Sequence, residues 1–380
     1  MTRPMRFWQR ITEGMELNQL WKQFNAEARS SYRLYSRDVD STRTAGTGPG
    51  RHAVQLAKQF FWAVIEKLSP ARRVLLVIAL VLLFINGGGS WEGSRGQVKV
   101  FWFGGAFWGG ILLLALLLLE IGDRVVMKRD LQIAKEIQAW LLPPGPPNVP
   151  DVEIAFTTRP ANTVAGDYYD VFPRPGSESY LIAIADVAGK SVPAAMLMAT
   201  FQASLKTLAS TAGSLTELVG RMNNYACSNS QNGRRFTTAF IAEYDPKSRK
   251  MTYVNAGHNA PIVRRRTGAV EHLRVGGVPL GISDGLSYEA GTVRLENGDW
   301  LVIFTDGVTE AENATAEEYG EARLLTMVHT NAAATPAGLL NAILSDVDRF
   351  VGDAPQHDDV TLMLMRVGVP CRSYAEDGEG

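Results

Sequence analysis

The sequence predicts an α+β domain of largely antiparallel sheets, carried behind an apolar segment of membrane length. Two observations predict it. Beyond residue 150, short apolar or alternating runs bounded by turn residues dominate, and the helical stretches are grouped rather than alternating strictly with them. Upstream, the twenty residues from Val100 to Leu119 carry no charge, the length that crosses about 30 Å of hydrocarbon.

A chain of 380 residues implies two or more units. Residues 1–70 hold eleven Lys and Arg against six Asp and Glu, a net +5; residues 151–380 hold nineteen against twenty-eight, a net −9. The acidic surplus argues against a nucleic-acid groove, which needs clustered basic side chains, and is compatible with metal binding. Cys227 and Cys371 stand far apart, so neither a disulfide framework nor a thiolate metal site is expected, which suits a reducing compartment.

Residues 1–70 read as a polar, partly amphipathic region and not as a secretory signal. "TAGTGPG" (44–50) is a break, and "LAKQFFWAVIEKL", ending at Leu68, fits either a surface-lying helix or an ordinary amphipathic one. Residues 71–122 read as a transmembrane hairpin with spans at about 74–91 and 100–120. Arg72 and Arg73 precede the first span, while Lys128, Arg129 and Lys135 follow the second, so basic residues put both ends inside. A single span with the N-terminus outside is the alternative. Residues 123–145 read as a linker helix stopped by the prolines from Pro143. Val126, Ile133 and Trp140 recur every seven residues, with Ile137 between the last two; the stripe fits a homodimer through paired linkers or one helix packed on the next domain.

In the domain that follows, 146–368, "SYLIAIAD", "RFTTAFIAEY", "KMTYVNAG", "DWLVIFTD" and "DVTLMLMRV" read as strands. "PAAMLMATFQASLKTLA", "SLTELVGRMNNYACSN" and "PAGLLNAILSDVDRF" read as helices. Residues 369–380 form a tail. Acids recur at the strand ends: Asp186 closes "LIAIAD", Asp306 closes "LVIFTD", Asp358 and Asp359 open "DDVTLMLM", and Asp167 and Asp170 flank the tyrosines of "GDYYD". Carboxylates converging there would repel and raise one another's pKa. A divalent cation relieves that repulsion, and all-oxygen donors favour Mg²⁺ or Mn²⁺. Each acid also has a plainer reading, as a turn in "TDG", a helix cap at Asp186 or a solvated loop in "HDD". The recurrence of the arrangement favours the metal. "AGKS" (188–191) is not a P-loop, because Ile184 occupies the position that needs glycine.

"RPANTVAGDYYDVF", "IADVAGKSVPAAMLMA", "RFTTAFIAEY", "NAGHNAPIV", "FTDGVTEAEN" and "QHDDVTLMLM", in that order, resemble the PPM-type metal-dependent serine/threonine phosphatases, in their SpoIIE/RsbU-like bacterial branch. The resemblance covers about residues 130–367. It implies an α-β-β-α sandwich with two Mn²⁺ or Mg²⁺ at one edge. Carried onto this chain, it implies Asp167, Asp186, Asp306 and Asp358 as catalytic metal ligands, joined by the carbonyl of Val187 and by Asp359. It also implies a phosphorylated regulatory protein as substrate, of the anti-sigma-factor-antagonist type. The hairpin and its flanking basic residues place the enzyme in the inner membrane with its catalytic domain in the cytoplasm, and its activity is expected to be controlled through the membrane and linker helices. Lipid is then a partner and nucleic acid is not. Ala165 and Ser191 stand where glycine is frequent in the family, and neither removes a carboxylate. Tyr168 and Tyr169 are expected to face opposite sides of their strand. Asp170 is expected to support the loop, His258 to contact substrate, act as an acid or shape a turn, and Asn255 and Gly257 to shape their loop. Arg264, Arg265 and Arg266 fit a solvated charge run or a patch for an acidic partner. Two other readings are a membrane scaffold that binds through a phosphatase-like domain without turnover, and hydrolysis of a small phosphoester.

Overall fold

A computed structural model describes residue 65 and residues 68–85, 89–92, 99–102, 104–229 and 235–368. Most of the region expected at 1–70, including the 44–50 break, and the tail at 369–380 with Cys371 lie outside the described residues. The chain divides into two compact units, one ending at Val125 and one beginning at Val126.

In the first unit, α1 spans Pro70–Phe84. Its leading proline has no N–H to leave unsatisfied in the first turn. Strands β1 (Gly89–Glu92) and β2 (Lys99–Trp102) pair antiparallel. Helix α2 starts at Gly105 and runs to Leu141, 37 residues without a break. Its first turns meet α1 backbone to backbone. A Cβ on Gly109 would stand 2.7 Å from the Ala79 carbonyl oxygen, and one on Gly105 would stand 2.8 Å from that of Leu82. At the opposite end Arg72 pairs with Asp123 at 2.7 Å and Glu120 at 3.3 Å. The two segments therefore form an antiparallel helix pair.

The helix limits differ from the expected spans. The sequence places the first span at 74–91, but α1 ends at Phe84 and residues 89–92 are strand. The second, placed at 100–120, becomes helical only at Gly105. The glycine run after Asn86 withdraws about 1 kcal/mol of helix propensity per residue, and Val100, Phe101 and Trp102 are types that favour strand. Among the described residues one helix, α2, is long and apolar enough to cross a membrane. At 15 residues, α1 rises only about 22 Å. The linker expected at 123–145 is the continuation of α2, which stops two residues before Pro143. Val126, Ile133, Ile137 and Trp140 are all exposed on it, Trp140 by 81%.

The second unit is a four-layer sandwich. One sheet has the order β10-β7-β6-β5-β4, with β11 also on β7; the strands are β4 (Tyr168–Pro173), β5 (Tyr180–Val187), β6 (Thr237–Asp245), β7 (Lys250–Ala256), β10 (Gly276–Gly277) and β11 (Gly291–Arg294). The other has the order β3-β13-β12-β8-β9, from β3 (Val152–Arg159), β8 (Ile262–Arg264), β9 (Val270–His272), β12 (Trp300–Phe304) and β13 (Val360–Val367). Helices α3 (Ser191–Leu208) and α4 (Leu215–Ser228) cover the first sheet. A short turn α5 (Asp306–Thr309) follows β12, and α6 (Glu321–Thr330) and α7 (Pro336–Val351) cover the second sheet.

Strand alternation produces the layers. Along β5, Leu181, Ala183 and Ala185 pack with α3 and α4, whereas Ile182 and Ile184 face the other sheet. Along β13, Leu362 and Leu364 pack with α7, whereas Met363 and Met365 face inward. Tyr168 and Tyr169 divide in the same way, Tyr168 against Phe201 and Tyr169 against Phe156. Strands β5 and β12 are buried on both faces, which is why they read as continuous apolar runs.

Candidate metal centre

Antiparallel pairing sets the start of one strand beside the end of its neighbour, and this places the acids. In the first sheet Tyr168 lies opposite Ala185, so Asp167, one residue earlier, comes level with Asp186. In the second sheet Phe304 lies opposite Leu362, so Asp306 and the pair Asp358–Asp359 share one end. Because Val360 lies opposite Arg159, the segment 160–166 leaves β3 at that end and crosses to β4 in the other sheet. The two acidic strand ends thus face each other across the sandwich.

The charges behave as one group. Asp167 is buried, with the Asp186 carboxylate close enough for their charges to interact strongly. Burial, then repulsion from Asp186, lifts it well above the ordinary carboxylate range. Burial, followed by the charges of Asp306 and Asp358, pushes Asp186 up to about 7. Asp306 is raised by burial and then by Asp358, and burial is also the main cause of the rise at Asp359. Val187 puts its carbonyl oxygen at the same place, 3.2 Å from where a Cβ on Gly166 would be.

Protein donors orient these carboxylates. Thr305 Oγ1 donates to Asp167 Oδ2 at 3.0 Å, and Thr361 Oγ1 donates to the same oxygen. Asp359 accepts from the backbone N–H of Ala161 at 2.7 Å and of Gly166 at 2.6 Å, so it holds both ends of the crossing segment. Lys190 Nζ lies 3.2 Å from Asp358 Oδ2 and donates to the His357 carbonyl at 2.6 Å. Thr305, Thr361 and Lys190 escape a search for acids; the signal for Thr361 is a lone hydroxyl in the apolar run "VTLMLM".

The donor set fits a hard divalent cation. Among the described residues, five carboxylates and one carbonyl gather here with the Lys190 ammonium against them, and these donors are all oxygen. Among the described residues no three of these side chains already surround one point as metal ligands. Oxygens of Asp167, Asp358 and Asp359 are turned toward the threonine, lysine and amide donors instead.

The other candidates lie elsewhere. Asp170 faces the helical layer, accepting from Tyr168 at 2.8 Å and pairing with Lys206 at 2.6 Å. His258 is buried. Its Nδ1 lies 3.0 Å from Thr238 Oγ1, and burial pushes its pKa down to about 4, so the ring is neutral at pH 7. Asn255 accepts from the His258 N–H at 2.7 Å and donates to Leu273, shaping the turn with Gly257, whose φ is 71°. Arg265 is committed to Asp299 and Glu271. A cavity of about 370 Å³ opens beside Gly307 and Asp358, lined also by Arg159, Glu310 and Glu318.

Ser191 starts α3 with φ at 63°, a left-handed conformation that costs a non-glycine residue about 1–2 kcal/mol. Ser191→Gly should therefore raise the urea midpoint, with a gain near 1 kcal/mol after the extra chain entropy of glycine. An unchanged or lower midpoint would mean that the serine side chain offsets its own strain.

Known proteins share the family and the fold of this chain. The family described as Stage II sporulation protein E (SpoIIE) matches residues 176–368. Phosphoserine phosphatase RsbU of Bacillus subtilis is 30% identical over 248 residues, covering 64% of this chain and 72% of that protein. Protein IcfG of Synechocystis is 27% identical over 273 residues, but the chain spans only 42% of its length. Among solved structures, the SiaA-PP2C domain of Pseudomonas aeruginosa superposes with a TM-score of 0.55 at 22% identity, over 64% of this chain and 98% of that domain. The RsbU and RsbW domains of Rv1364c from Mycobacterium tuberculosis superpose with a TM-score of 0.50 at 22% identity, over 60% and 64%.

Proposed function

Because this chain belongs to the SpoIIE family of PPM-type phosphatases, we propose that it is a membrane-anchored, metal-dependent phosphatase that hydrolyses phosphoserine or phosphothreonine on a regulatory protein. The observation that carries this reading is the convergence of Asp167, Asp186, Asp306, Asp358 and Asp359 from four separated strand ends. With the Val187 carbonyl, these acids would hold two Mn²⁺ or Mg²⁺, which supply Lewis acidity and an acidified water.

The chain's own groups do the positioning. Thr305 and Thr361 fix Asp167, Asp359 fixes the crossing segment, and Lys190 partly balances Asp358 and Asp306. The cavity beside Asp358 leaves room for the segment around the phosphorylated residue. The name of RsbU supports a phosphoserine substrate. The apolar, unburied first half of α2 supports an inner-membrane anchor, with α1 as a second, shorter segment beside it and the catalytic unit in the cytoplasm. The exposed stripe through Trp140 supports a homodimer.

The test is phosphate release by the full chain in lipid, from a phosphoserine protein, with Mn²⁺ and with EDTA. Release that needs Mn²⁺, from particles that scatter light as dimers, is the expected result. Mn²⁺ binding without release would favour the scaffold reading, and release only from small phosphoesters would shift the substrate class. A monomeric particle would remove the dimer.

A further inference from the structure

Gln138 lies on α2, one turn before its end, and is 6% exposed. Its side-chain amide is spent on one residue. Nε2 donates to the Ala165 carbonyl at 2.7 Å, and Oε1 accepts from the Ala165 N–H at 3.0 Å. Two complementary bonds fix the amide's orientation, because a flipped amide would set N–H against N–H. The next residues are pinned in turn, Gly166 by Asp359 and Asp167 by Thr305 and Thr361. Ala165, Gly166 and Asp167 thus form a short tether whose last member is a carboxylate of the cluster and whose first is held by the helix.

The same end of α2 is also tied to the helical layer over the first sheet. Gln202 on α3 donates to the Leu141 carbonyl at 3.1 Å, and Leu142 packs against both the helical layer and the inter-sheet core. Helix α2 therefore cannot slide or turn at this point without carrying Ala165 or leaving two buried backbone groups unpaired, which is costly.

We propose that Gln138 is a positioning residue for the metal centre: through Ala165 it sets where the Asp167 carboxylate stands, so that cation affinity depends on the placement of α2. The inference rests on the reading of Asp167 as a metal ligand given above. It makes α2 more than a tether to the anchor, since the helix holds one arm of the site.

The experiment compares the full chain in lipid with Gln138→Leu and Gln138→Glu. Leucine removes both bonds. Glutamate keeps the acceptor for the Ala165 N–H but turns a carboxylate oxygen toward the Ala165 carbonyl. In metal-free protein, hydrogen exchange across 161–168 should be about tenfold faster in both variants, with 300–304 unchanged. The Mn²⁺ concentration giving half-maximal hydrolysis of p-nitrophenyl phosphate should rise about tenfold, while the rate at saturating Mn²⁺ stays within about twofold. Unchanged exchange and unchanged Mn²⁺ dependence, even with a lower melting temperature, would make Gln138 a structural residue only and overturn the proposal. If leucine prevents folding, the glutamate variant decides alone. A wild-type chain that hydrolyses nothing would sink the phosphatase reading, and the exchange measurement would still judge the tether.

Discussion

Asp186→Asn in the full chain is expected to reduce Mn²⁺-dependent phosphate release at least about 10³-fold, at every Mn²⁺ concentration. Asp186 is the member of the cluster that feels the charges of Asp306, Asp358 and Asp359 and in turn repels the charge of Asp167. Asparagine keeps the shape and removes the charge, so the fold should survive.

Metal-free stability should move the opposite way. Burial first, and then its charged neighbours, raise the folded-state pKa of Asp186 from the ordinary 3.8 to about 7. A group raised on folding contributes stability that is fully present below its unfolded pKa and is lost as pH climbs through the folded one. The contribution therefore fades from near pH 4 to above pH 7. Melting in EDTA at pH 8 should show Asp186→Asn above the wild type, with the gap closing at pH 5. A variant that melts lower at pH 8, or that retains turnover, would remove Asp186 from the centre of the cluster.

Gly307→Ala is expected to be almost as damaging, and by a different route. A Cβ at Gly307 would stand 2.1 Å from the Asp359 carbonyl oxygen and 2.8 Å from its carbonyl carbon, so the backbone on one side has to move. The parts that would move carry Asp306 on one side and Asp358 and Asp359 on the other. A loss of about 2–4 kcal/mol in urea unfolding is expected from overpacking against backbone. Phosphate release should fall about 10²-fold from misplaced carboxylates. Wild-type activity in this variant would show that the two loops separate without cost, and that their contact does not set the acid positions.

Much of the site was legible because strand ends are legible. Apolar runs such as "LIAIAD" and "LVIFTD" mark central strands, and an acid closing each run marks the rim of a sheet. Asp170 shows the limit of that reading. It shares "GDYYD" with Asp167, yet strand alternation turns it to the helical layer, where Tyr168 and Lys206 take it. His258 sits in a polar loop motif but is enclosed and neutral, because enclosure depends on Thr238 and on residues from distant strands. The apolar run from Val100 reads as one segment, although its first residues belong to β2; pairing with β1 competes there with helix, and hydropathy cannot distinguish the two.

The sequence by itself determined the alternation of the strands, the acids at their ends and the apolar length of α2. These depend on side-chain period and transfer free energy, which are local. Only the tertiary structure decided that Thr305 and Thr361 hold Asp167, that Lys190 reaches Asp358, and that Gln138 grips Ala165. Those partners lie 27 to 194 residues apart, or face one another across two sheets. Hydrogen bonding falls off within one side-chain length, so no pattern along the chain records it before the sheets close.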